Sequence, residues 1–155
     1  MERLVWLHAP PLVFCEKTGQ WATWWRGIRP STGTPPATVI ETRSLAACRE
    51  ELNGQPAAFV VLELTAANLS AVLDLLADQE RLWPRAAIVV VADRSLGDWE
   101  PIVREAGALA WSTSPRRLRP LVEMACRHTA LHARPYETIH AAIDASLPWR
   151  SNSTD

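Results

Sequence analysis

Two apolar runs, broken only by Glu63, constrain this chain more than any other feature. Residues 57–64 read AAFVVLEL and residues 86–92 read AAIVVVA. Neither alternates apolar with polar side chains, so a strand made from either must be covered on both faces. That condition is met in parallel sheets with helices on each side. Between the runs, Leu69, Val72, Leu73 and Leu76 recur at helical spacing, Asn68 stands at a capping position, and Pro84 bars continuation. A strand, a helix and a second strand in this order form a right-handed crossover. Both runs are far too short to span a bilayer.

The same alternation extends along the chain. Residues 4–8 (LVWLH) predict the first strand, ended by Pro10 and Pro11. Trp21, Trp24, Trp25 and Ile28 give residues 16–28 one apolar helical face, with Trp21 and Trp25 turned to the core and Trp24 outward. A Pro- and Gly-rich loop occupies 29–36, and a second strand is predicted at 38–41. Ser44 then caps a helix whose apolar face is Leu45, Cys48 and Leu52, ended by Gly54. After the fourth strand, Ser95 and Asp98 are spaced like a capping box. A short helix over 99–106 follows, with Pro101 in its first turn and Gly107 as its stop. Residues 108–113 predict a fifth strand, and Leu118, Leu121, Val122 and Ala125 a fifth helix. Residues 135–146 read as a further short helix and 147–155 as a polar tail. The expectation is one α/β domain over 1–134, a five-stranded parallel sheet between two helical layers, with 135–155 as its C-terminal helical extension and tail.

Composition excludes several classes. The 155 residues are 48% apolar and 21% charged, with a net charge of -1, which argues against disorder. Sixteen basic residues against seventeen acidic give no bulk attraction to nucleic acid or to an anionic membrane. Glu2, His8 and two prolines deny residues 1–14 the character of a signal peptide. Cys15, Cys48 and Cys126 have neither metal spacing nor an even disulfide count. A reduced, cytoplasmic protein without metal or cofactor is expected. Eight of eleven aromatics are Trp and fifteen of sixteen basic residues are Arg. GC-rich codon usage and a binding surface both account for that bias.

The order of elements, with VVLEL at 60–64, IVVVA at 88–92 and AGALAWSTSP at 106–115, resembles a response-regulator receiver domain, a flavodoxin-like (βα)5 fold. Ala106, Gly107, Ala108, Trp111 and Pro115 match the receiver pattern around the fifth strand. The resemblance implies a phosphorylation site at the C-terminal strand ends, but its residues do not carry over. The acidic pair that holds Mg²⁺ falls on His8 and Ala9, and the phospho-accepting Asp on Glu63. The hydroxyl that binds the phosphoryl group falls on Val91, and the pairing lysine on Ser114. Phosphotransfer needs metal, nucleophile and charge clamp together, so a degenerate pseudo-receiver is expected. Glu63 reads either as a mimic of phosphorylated Asp or as a leftover carboxylate. The missing lysine and hydroxyl favour the second. The resemblance also implies a cis bond before Pro115.

The implied function is a non-enzymatic, phosphorylation-independent signalling adaptor working through protein contacts, with a homodimer as one form. Trp99, Trp111 and Arg117 are its interaction candidates, on the fourth helix, fifth strand and fifth helix. Arg116, Arg117 and Arg119 open the fifth helix, where cations oppose the macrodipole, which suggests a partner or a carboxylate such as Glu123. The alternative is a small-molecule-binding or enzymatic domain using His8, Glu63 and Ser114 at the strand ends. No nucleophile elbow or Gly-rich phosphate loop supports it. His128 and His132 are spaced for chelation from one helix face but lack further ligands, so a solvated helix end is expected.

Overall fold

The structure, a computed structural model, describes residues 5–31, 36 and 38–136, and of 5–8 and 134–136 only the backbone. Its strands are β1 (Val5–His8), β2 (Leu12–Cys15), β3 (Val39–Thr42), β4 (Phe59–Leu64), β5 (Ala87–Ala92), β6 (Ala110–Ser112) and β7 (Arg134–Tyr136). Its helices are α1 (Gln20–Arg26), α2 (Leu45–Gly54), α3 (Leu69–Leu82), α4 (Glu100–Glu105) and α5 (Arg119–His132). Single 3₁₀ segments at Arg94–Trp99 and Pro115–Arg117 lead into α4 and α5.

Five parallel strands form one sheet in the order β3-β2-β4-β5-β6. Successive strand residues point to opposite faces, so the apolar runs feed two cores. Val13, Val60, Leu62, Ile88 and Val90 pack with Cys48 and Leu52 of α2, Val72 and Leu76 of α3 and Val103 of α4. Leu12, Phe14, Phe59, Val61, Val89 and Val91 pack on the other face with Trp21 and Trp25 of α1 and Leu121, Val122 and Ala125 of α5. Trp24 is half-buried. The expected three-layer sandwich is present.

The first strand lies elsewhere than expected. Residues 5–8 are extended but stand outside the main sheet; they pair antiparallel with β7, Val5 opposite Tyr136 and His8 opposite Arg134. The sheet's first strand is Leu12–Cys15, directly after Pro10 and Pro11. A proline has no N–H to give a ladder, but just ahead of a strand none is demanded of it, and the Pro11 carbonyl still accepts from the Phe59 N–H at 3.0 Å. Pro135 and Tyr136, expected to open a helix, lie in β7; the rest of that expected helix falls outside the described residues.

Candidate functional site

In the sheet order, β2 and β4 are neighbours whose connections depart in opposite directions. Above the C-terminal ends of two such strands lies the crevice where open α/β sheets hold ligands. Here β2 delivers Glu16 and Lys17 to that crevice, and β4 delivers Glu63. The expected His8 and Ala9 are therefore not at the site. The β2 residue Leu12 is level with Phe59 of β4. Four residues at about 3.3 Å each separate that level from Glu63, roughly 13 Å, and His8 precedes Leu12. His8 and Glu63 are not partners.

Glu16 is buried, 3% exposed, yet not isolated. Its Oε1 accepts the Trp21 N–H at 2.9 Å and its Oε2 the Ala22 N–H at 2.8 Å. Amides of a first helical turn lack intrahelical acceptors, and a carboxylate there also meets the positive end of the dipole. Gly19, at φ 82°, makes the turn that brings α1 back over Glu16.

Glu63 is half-buried and stands in register with Val91 of β5. Burial pushes its carboxyl above the ordinary carboxylate range, and the charge of Glu16 adds to this. Hydrogen bonds from the Lys17 backbone and the Trp21 side chain, and the Lys17 ammonium, oppose the shift without cancelling it. Asn68 stands at the N-cap position of α3, but its side chain turns back to the loop: Oδ1 accepts the Thr65 N–H at 2.7 Å and Nδ2 donates to the Glu63 carbonyl at 2.9 Å. Beyond β5, Asp93 Oδ1 accepts the Ser95 N–H at 2.9 Å, which holds the Asp93 carboxyl below its usual range.

Glu63 separates two cavities. One, about 270 Å³, is lined by Cys15, Lys17, Arg43, Ser44 and Asn68 among others. The other, about 380 Å³, lies between α1 and the β5–α4 connection and carries Trp21, Trp24, Thr65, Asp93 and Ser95. Ser114 lines neither. Sequence reasoning missed Glu16, Lys17 and Asp93. The signal that could have found them was Leu12–Cys15, an apolar run followed at once by two charged residues.

At β6, Val91 is fully buried and pairs with Ser112. The Ser114–Pro115 bond is trans, against the expected cis bond. Ser114 is extended, its Oγ accepts the Arg116 N–H at 3.3 Å, and its carbonyl accepts the Arg117 N–H at 3.0 Å. Pro115 thus opens a 3₁₀ turn, where a trans proline fits and its missing N–H costs nothing.

Trp111 is half-buried against the core and lines a groove of about 450 Å³ with Arg104, Arg117 and Met124. Trp99, 38% exposed, is not among the groove's residues. Arg116 and Arg117 are exposed and make no ion pair among the described residues. Arg119 is engaged internally: its Nη1 donates to the Arg29 carbonyl at 3.1 Å and to Ser31 Oγ at 3.4 Å. His128 is half-buried rather than solvated, with Nε2 2.7 Å from the Ala57 carbonyl. Among the described residues, no group of three or more His, Cys, Asp or Glu side chains could hold a metal, and no helix is long and apolar enough to cross a membrane.

No protein-family model and no curated protein matches this sequence. Solved structures do. A CheY-like protein (tadZ) from Pseudomonas aeruginosa superposes with a TM-score of 0.59 at 19% identity, over 77% of this chain and 98% of that one. A putative pilus assembly-related protein from Burkholderia pseudomallei gives 0.53 at 19% identity, over 83% of this chain and 96% of that one. The chain has a CheY-like, flavodoxin-like fold.

Proposed function

We propose that this domain is a non-catalytic receiver-like module that works without phosphorylation, through contacts with another protein or with a second copy of itself. The observation that carries this reading is the engagement of Glu16. A receiver's first strand presents carboxylate oxygens to Mg²⁺, a cation that demands oxygen ligands. Here both Glu16 oxygens are taken by amides of α1, and the next residue is a lysine. Glu63, Val91 and Ser114 complete the substitution of the machinery, and transfer of a phosphoryl group depends on positioned charge more than on any one side chain.

The interaction face in this reading is α4, β6 and α5, where Trp111 and Arg117 share a groove and Trp99 and Ile102 are exposed. The description of the Burkholderia pseudomallei structure makes a pilus-assembly protein of the same host the first partner to assay. The test treats the protein with Mg²⁺ and acetyl phosphate, or with beryllofluoride, and follows mass and indole N–H chemical shifts. Neither a phosphoryl adduct nor a saturable shift is expected. An acid-labile adduct on Glu63 overturns the proposal.

A further inference from the structure

The 380 Å³ cavity beside Glu63 has a character that the adaptor reading does not use. Its volume is in the range of small-ligand sites, roughly 300–1,000 Å³. Two indoles, Trp21 and Trp24, stand edge to face at 5.0 Å and 90° and form its wall on α1. Glu63 and Asp93 bring carboxylates from β4 and from the segment after β5, and no lysine or arginine lines the cavity. Lys17 and Arg43 lie in the other cavity, across Glu63. A receiver's phosphoryl group, an anion, would occupy this neighbourhood; in this chain the side chains lining the cavity offer an anion two carboxylates and no cation, while the Lys17 ammonium acts on Glu63 from the other cavity. The lining has its charge reversed.

Aromatic faces attract ammonium and guanidinium groups through the ring quadrupole, more strongly when the cation is removed from water. A guanidinium also matches a carboxylate with paired N–H donors and stacks on indole. We infer that this cavity binds an organic cation, a guanidinium or alkylammonium group, between the Trp21–Trp24 wall and the carboxylates of Glu63 and Asp93. The hydroxyls of Thr65 and Ser95 supply acceptors for its remaining N–H donors. The group can arrive on a free small molecule or as an arginine side chain of a partner, and the chemistry of recognition is the same.

Calorimetric titration with arginine amide, and with a short peptide carrying one central arginine, tests the inference. Indole N–H shifts locate the site. Saturable binding with perturbation of the Trp21 and Trp24 signals is expected. Equal affinity for both probes assigns a free small molecule; at least tenfold tighter binding of the peptide assigns a partner side chain. Trp24→Ala should weaken binding at least tenfold, and so should Asp93→Asn, a change at an exposed residue that leaves both cores untouched. Absence of saturable binding by either probe overturns the inference, as does undiminished binding by both variants. Acetyl phosphate inertness is decided by separate measurements, so this proposal and the adaptor reading fail independently.

Discussion

The Trp21 amide lies 2.9 Å from Glu16 Oε1, five residues earlier in the chain, and both residues are buried beneath an exposed turn. Removing the carboxylate strands that amide and its neighbour on Ala22. A buried donor left without a partner costs about 1–3 kcal/mol. Glu16→Ala should therefore lower the unfolding free energy by about 2 kcal/mol or more in urea titration, and Glu16→Gln, which keeps one acceptor, by less. An Ala variant as stable as wild type would remove the capping role.

Glu63 carries a charge that the fold disfavours. Its carboxyl titrates above the ordinary 4.5, with burial as the main cause. Between 4.5 and that raised value the folded state holds more protons than the unfolded chain, so stability falls as pH rises through the window. Glu63→Gln should be more stable than wild type at pH 7.5, and the two should converge near pH 4. Thermal midpoints across that range check it; parallel curves would contradict it.

His128 works in the opposite direction. Burial lowers its pKa below the ordinary 6.5, partly offset by the bond to the Ala57 carbonyl. As pH falls through 6.5 the unfolded chain takes a proton that the folded state resists, so stability drops until the folded pKa is passed. Asn in its place should flatten the profile between pH 7 and 5. An unchanged slope would assign the effect elsewhere.

Gly107 holds φ at 125°, a region nearly closed to side chains. An added Cβ would stand 3.5 Å from the Leu76 carbonyl, an ordinary contact, so the cost is backbone strain rather than collision. Gly107→Ala should destabilise by about 1–3 kcal/mol, read as a lower urea midpoint with unchanged slope.

If the α4–β6–α5 face mediates association, Trp111→Ala or Arg117→Glu should weaken it by about 2 kcal/mol, on the order of thirtyfold. Sedimentation over a concentration series, with circular dichroism as the folding control, measures this. Folded variants that associate as wild type does would move the interface to another face.

The two central strands were legible because burial on both faces leaves no polar alternation to misread. The two core tryptophans followed from helical spacing, and Gly107 from its place in the motif. The site was harder to read. Residues 4–8 have strand composition and 5–8 are extended, but which sheet they join is a tertiary choice that composition does not encode. Pro10 and Pro11 read as a stop and in fact precede a strand. That displacement moved the first-strand positions from His8 and Ala9 to Glu16 and Lys17. It also hid the carboxylate that caps α1. The bond before Pro115 was misjudged for a related reason: Ser114 holds its turn with hydroxyl and carbonyl bonds, so the chain changes direction with a trans peptide.

The pairing of Val5 with Tyr136 joins positions at nearly opposite ends of the described chain. Each crossover of the main sheet closes a short loop, whereas this ribbon waits for the largest closure, whose entropy grows with loop length. It is expected to zip last in folding and to open first in native-state hydrogen exchange, well before β4 and β5. Because it joins the chain near the start of β2, its opening would leave the strand-end crevice, at the other pole of the sheet, assembled. The time-resolved order of protection, β4 and β5 early and residues 5–8 late, would then separate a durable scaffold from a loose clasp at its base.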